Sequence, residues 1–163
     1  MNKKIWTDIK GRFFAVLLIA SLVGLDQLSK HFVKIYLKDN KSKTIIKDIL
    51  HFTYSENRGA AFGILENHRW IFISVTAVVI IFLLFLVYKK KIVNLLPLTA
   101  VCLVIAGGLG NLYDRLYMGY VVDFIEFKFI NFAIFNLADT FVVVGGIAFG
   151  VMFAFFEGTV WKK

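Results

Sequence analysis

Cysteine, histidine and proline are scarce in this chain of 163 residues, and each scarcity removes a class of protein. The one cysteine, Cys102, can form neither an intrachain disulfide nor a cysteine zinc cluster. It lies within an apolar run, where a buried, inert thiol is expected. The histidines, His31, His51 and His68, are never paired at metal-ligand spacing, so no metal site and no cofactor is expected. A single proline and the lack of any Ser/Gly-rich tract leave no linker. One domain over residues 1–163 is the natural reading, with no internal repeat or low-complexity tract.

What the chain has is apolar bulk. It is 59% hydrophobic and 17% aromatic, with a mean hydropathy of +0.74, too apolar for a soluble domain of this size. The net charge of +8 would suggest nucleic acid in a soluble protein. Here the cations cluster beside apolar runs: Lys3, Lys4, Lys10 and Arg12 at the start, Lys89 to Lys91 in the middle, Lys162 and Lys163 at the end. That is juxtamembrane anchoring, with lipid and not nucleic acid as the partner.

A bilayer-crossing helix needs about 20 mostly apolar residues. Four segments qualify or nearly do: 13–33, 70–88, 92–112 and 134–156. The basic start followed by residues 13–25 has the pattern of a cleaved signal peptide, but three further spans make an uncleaved first helix the expectation. The N-terminal, Lys89–Lys91 and C-terminal flanks share one side and carry nine Lys/Arg, against eight on the other. The totals barely differ. Density decides, because the nine are packed into very short flanks, and both termini are expected in the cytoplasm. Segments 36–69 and 114–133 then lie outside.

With that threading nearly every unusual polar residue converges on one membrane face: Asp26 and Lys30, then Asn111, Asp114 and Arg115, then Asn136 and Asp139. The opposite halves of the helices are bland. Residues 44–54 and 125–131 are strand-like, and Gly59 and Gly63 bracket the turn-capable "GAAFG". These segments suggest a small sheet on the membrane surface whose apolar face is covered by lipid, helix ends or an apolar ligand. The expected fold class is an integral membrane protein, mainly α, with four transmembrane helices and a small extracytoplasmic β-cradle.

The polar residues divide by what their spacing permits. Asp26 and Lys30, at i,i+4, read as a supporting ion pair within one helix. In "GGLGNLYDR", Gly107, Gly108 and Gly110 permit close helix approach, while Gly108, Asn111 and Arg115 share a face. Asn111 and Arg115 either cap and pack or line a site, where Arg115 could offer its planar fork to a carboxylate or phosphate. Asp114 and Arg115 read as the helix end at the interface. Asn136 and Asp139 in "FNLAD" share a face at i,i+3, and a helix starting near residue 134 would put Asp139 about 8 Å below its end. Asp123 in "VVDF" sits between apolar residues, unlike an ordinary solvated loop acid.

Two aspartates near one apolar surface suggest a dyad that shares one proton, as in aspartic proteases. A proton-coupled transporter and a structural membrane protein also fit an intramembrane acid, although the bland opposite halves argue against a through-path. Beyond the residues themselves, the chain resembles bacterial lipoprotein signal peptidases (signal peptidase II) in five ordered motifs: "DQLSK", "NRGAAFG", "GGLGNLYDR", "VVDF" and "FNLAD". The resemblance implies Asp123 and Asp139 as catalytic, and Asn57, Gly59, Asn111, Arg115 and Asn136 as substrate-binding or site-shaping. It implies prolipoprotein substrates with a diacylglyceryl-modified cysteine, cut just before that cysteine at the outer face of the bacterial cytoplasmic membrane. It also implies a β-cradle and a periplasmic helix beside the four spans. Phe52, Tyr54, Phe62, Phe127 and Phe129 are the cradle residues expected to rest on lipid.

Overall fold

The computed structural model describes residues 9–39, 42–59, 65–66, 68–89, 92 and 94–155. Four long helices carry the fold: α1 (Ile9–Leu37), α2 (Arg69–Tyr88), α3 (Leu95–Tyr117) and α4 (Leu137–Phe155). All four are long and apolar enough to cross a membrane. Among the described residues no helix beyond these four appears, and most of "GAAFG", with Phe62, lies outside the described residues. The bundle turns apolar side chains outward: Ile81 and Val78 on α2 and Ile147 on α4 are each more than 60% exposed. Such a belt has no stable cover but lipid.

Helix α3 is central and packs against the other three. Its glycines explain how closely. A Cβ at Gly107 would collide with the Ala138 carbonyl oxygen of α4, and one at Gly145 would lie 2.6 Å from the Ala100 carbonyl. A Cβ at Gly110 would lie 2.5 Å from the Asp26 carboxylate, so this glycine makes room for a charge. The main core cluster joins Ala15, Ile80, Val101, Cys102 and Ile105 across α1, α2 and α3. Cys102 is fully buried there, as expected of an inert thiol.

At one end of the bundle lies an antiparallel sheet in the order β1 (Ser42–Ile46), β2 (Leu50–Asn57), β3 (Val121–Phe127). The strand-like stretch 44–54 is therefore a hairpin, turning at Asp48 with φ of 59°. The third strand begins four residues before the expected 125 and ends in a turn at Lys128. Alternation explains both. Val122 and Phe124 pack with Val33 and Leu37 at the end of α1, which leaves Asp123 on the other face. Phe52 meets Phe124 edge-on at 5.6 Å and packs against this second core. Phe129 is exposed.

Helix boundaries also differ from the sequence reading: α1 runs four residues beyond the expected 13–33 at each end, and α3 starts at Leu95 and not at 92. Helix α3 continues through Asp114 and Arg115 to Tyr117, because Asp114 is not an interfacial end but a fully buried ion-pair partner. Helix α4 starts at Leu137, not near residue 134. The segment before it is held extended by pairing of Phe135 with Ile125. Asp139 is therefore the third residue of its helix, in the first turn, and shallower than expected.

Candidate active site

Two structural devices bring Asp123 to α4. Strand β2 carries a bulge between Phe52 and Ser55, after which Ser55 pairs with Asp123. Bulges re-aim side chains in this way. The Phe135 carbonyl accepts the amides of Phe124 (3.0 Å) and Ile125 (2.8 Å), and the Phe135 amide donates to the Ile125 carbonyl at 3.1 Å. This clamp lays the residue after Phe135, Asn136, beside Asp123.

Asn136 is fully buried and every polar group it has is used. Its Nδ2 donates to Asp123 Oδ1 at 2.7 Å and to Asn111 Oδ1 at 3.1 Å. Its Oδ1 accepts the Asp139 amide at 2.9 Å, while its own amide donates to Asp139 Oδ2 at 3.1 Å. The last two bonds form a reciprocal capping box, with Asn136 as N-cap and Asp139 three residues on. Sequence reasoning missed this local role, although the Asn-x-x-Asp spacing carries it.

Each oxygen of the two carboxylates faces a donor. Asp139 Oδ1 accepts Asn111 Nδ2 at 2.7 Å. Asp123 Oδ2 accepts Asn57 Nδ2 at 2.9 Å. The amide orientations are locked from behind: Asn57 Oδ1 accepts the Gly59 amide at 2.9 Å, and Asn111 Oδ1 accepts Lys30 Nζ at 3.0 Å. Asp123 is 2% exposed. Burial and then the neighbouring Asp139 charge raise its carboxyl from 3.8 to about 7, against the hydrogen bonds from Asn57 and Asn136.

Behind the amides lies a buried charge cluster. Lys30 Nζ is 2.8 Å from both Asp26 Oδ2 and Asp114 Oδ2. The expected i,i+4 pair is present, and Asp114 completes it. Asp26 Oδ1 also accepts the Ala138 amide of α4 at 3.0 Å, so α1 helps cap α4. Gln27 Nε2 reaches Asp114 Oδ1 (3.0 Å), Asp26 Oδ2 (3.1 Å) and the Gly110 carbonyl (3.2 Å). Gln27 was not singled out from sequence, and Asp114 was read only as a helix end. The available signal was that Asp114 shares a helix face with Asn111 at i,i+3.

Of the two roles open to Arg115, its described contacts are those of packing and holding a turn. Its Nη2 donates to the Gly59 carbonyl at 3.0 Å and its guanidinium stacks over Phe72 of α2 at 4.9 Å. It holds the Asn57–Gly59 turn against the bundle. Thus Asp123, Asp139, Asn57, Gly59, Asn111, Arg115, Asn136, Asp26 and Lys30 form one connected set, contributed by α1, α3, α4 and the sheet.

The model of the signal peptidase (SPase) II family matches residues 18–156. The chain belongs to that family. A lipoprotein signal peptidase of Clostridioides difficile (strain 630) is 45% identical over 142 residues, 87% of this chain and 95% of that protein. One from Halothermothrix orenii is 48% identical over 132 residues, covering 81% and 88%. A bacterial membrane enzyme solved by the in meso method at 2.3 Å resolution superimposes with a TM-score of 0.82 at 33% identity, over 98% of this chain and 94% of that one. A second such structure, at 1.9 Å, gives 0.80 at 33% identity, over 96% and 98%. The molecule is an integral membrane protein of a peptidase family, and its described residues bring Asp123 and Asp139 together on Asn136.

Proposed function

We propose that this signal peptidase II family member removes the signal peptide from diacylglyceryl-modified prolipoproteins, cutting just before the lipidated cysteine, with Asp123 and Asp139 as an aspartic dyad. One observation carries the reading: two carboxylates are held on either side of one buried asparagine, with their oxygens facing fixed amide donors. The relatives' name, lipoprotein signal peptidase, supports lipoprotein precursors as the substrates.

In this mechanism the dyad holds one proton, and its titration belongs to the pair. The ionised carboxylate takes a proton from water as the water oxygen bonds to the scissile carbonyl carbon. The protonated partner gives its proton to the carbonyl oxygen, producing a gem-diol. A proton then passes to the amide nitrogen, the C–N bond breaks, and an acid and an amine leave. Asn57, Asn111 and Asn136 keep the carboxylates oriented throughout. Gly59 and Arg115 fix the turn over the site. Asp26 and Lys30 hold Asn111 and the start of α4. The positive end of α4 offsets the negative charge gathered there. The reaction calls for no metal, so activity should survive EDTA; loss restored by a divalent ion would contradict the dyad.

The sheet end of the bundle is placed at the outer face of the bacterial cytoplasmic membrane, with both termini inside. A diacylglyceryl group anchored in the outer leaflet then presents its adjacent peptide bond at the level of Asp139. The deciding experiment incubates purified wild type and Asp139→Asn with a diacylglyceryl-cysteine lipobox peptide. Wild type should cut before the cysteine and the folded variant should not. Cleavage by the variant at the wild-type rate would remove Asp139 from the chemistry.

A further inference from the structure

The molecule carries a second feature at the sheet end of the bundle that the peptidase reading does not use. An open groove of about 480 Å³ runs between α1 and α3. Its α1 wall includes Gly24, Leu28, His31 and Lys34, which recur at helical spacing and so form one stripe. Its α3 wall is Tyr113 and Tyr117, whose rings are tilted at 36° with centroids 4.5 Å apart. The ten helical steps from Gly24 to Lys34 span about 15 Å. The groove is thus amphipathic along its length. Its cationic end lies near the helix termini, and its other end reaches into the apolar zone, where a Cβ on Gly24 would meet nothing within 4 Å.

The cationic end is uncompensated. Lys34 Nζ contacts only the Met118 sulfur, at 3.8 Å, among the described residues. His31 is exposed beside it. The carboxylates behind the wall, Asp26 and Asp114, are both taken by Lys30. A half-buried ammonium with tyrosines at membrane-interface depth matches a headgroup phosphate, and the apolar floor below matches an acyl chain. We propose that this groove binds an anionic phospholipid, with the phosphate at Lys34 and His31 and one acyl chain over Gly24. The ligand is not the peptidase substrate. A diacylglyceryl thioether has no phosphate, and Lys30 and Gln27, which form the inner wall of the groove, separate it from Asp139, which Lys30 reaches only through Asn111. A bound lipid would tie α1 to α3 at the level of that cluster.

The test uses the full chain in detergent, titrated with phosphatidylglycerol or phosphatidylcholine and followed by native mass spectrometry and thermal melting. Neither readout depends on peptidase activity. Phosphatidylglycerol should bind saturably, in preference to phosphatidylcholine, and raise the melting temperature. Lys34→Gln should weaken that binding about fivefold, Lys34→Arg should retain it, and Lys43→Gln on exposed β1 should leave it unchanged. Gly24→Leu fills the floor without changing charge and should also weaken binding. Equal binding of the two lipids, or unchanged binding in both Lys34→Gln and Gly24→Leu, would overturn the proposal. So would displacement by inorganic phosphate at millimolar concentration, because the site would then hold phosphate without lipid.

Discussion

At the scale of single residues, Asp139 has two reasons to exist. It closes a capping box with Asn136, and it presents an oxygen to Asn111. Glutamate also serves in a capping box, so Asp139→Glu separates the two roles. Its melting temperature should match wild type within about 1 kcal/mol of stability. Its cleavage rate should fall at least about 100-fold, because the carboxylate moves by about one bond length off the reacting geometry. A variant that melts early and cuts normally would reverse the assignment. Asp123 supplies a pH prediction. Its folded carboxyl titrates near 7 against 3.8 ordinarily, raised by burial and then by Asp139. The folded chain therefore holds a proton there that the unfolded chain has lost. The contribution from this group is fully present below 3.8 and declines as pH rises through about 7. The singly protonated dyad disappears over the same upper range, so kcat/KM should fall as pH rises past about 7. A rate that keeps rising to pH 9 would contradict a shared proton.

At the scale of elements, the α3–α4 contact decides where the proposed dyad sits. Gly107 and Gly145 abut backbone carbonyls of the facing helix, whereas Gly146 and Gly150 face open space. Gly107→Ala and Gly145→Ala should each cost about 1–3 kcal/mol by overpacking. Gly146→Ala and Gly150→Ala should be neutral or slightly stabilising, by up to about 1 kcal/mol of helix propensity. Thermal melting of the four variants in one detergent checks the contrast. The Lys30 cluster is the second joint between elements. Lys30→Met leaves Asp26 and Asp114 buried without a counter-charge and should cost about 3–5 kcal/mol. It also frees the Asn111 amide to turn, so activity should fall more than the fraction folded. Equal losses of activity and fold would reduce Lys30 to a purely structural part.

At the scale of the whole molecule, the described polar network lies at the sheet end, and the remaining length of the helices is an apolar belt. The proposed orientation puts that end outside the cell. Cys102 is fully buried, so thiol labelling of the native protein has little background. Lys43→Cys on exposed β1 should label with an impermeant maleimide in intact cells. Lys89→Cys, at the exposed end of α2, should label only after permeabilisation. The opposite pattern would invert the topology.

Much of this was legible in one dimension because its causes are local. Hydropathy over about 20 residues marks a span wherever it packs, and all four helices overlap the segments read from sequence. The Asp26–Lys30 pair is set by helical spacing alone, and the Asn136–Asp139 box is equally local, although its capping role was not read from the sequence. The boundaries were less legible, because α3 outlasts its hydropathy by burying Asp114 against a lysine of another helix. Tertiary structure alone decided that Asp123 lies beside Asn136, through a bulge in β2 and the pairing of Phe135 with Ile125. It also decided which way the Asn111 amide points, because Lys30 accepts no hydrogen bond and turns the oxygen toward itself. Those contacts join residues far apart in the chain, and no periodicity in a sequence specifies which distant partner a buried polar group will find.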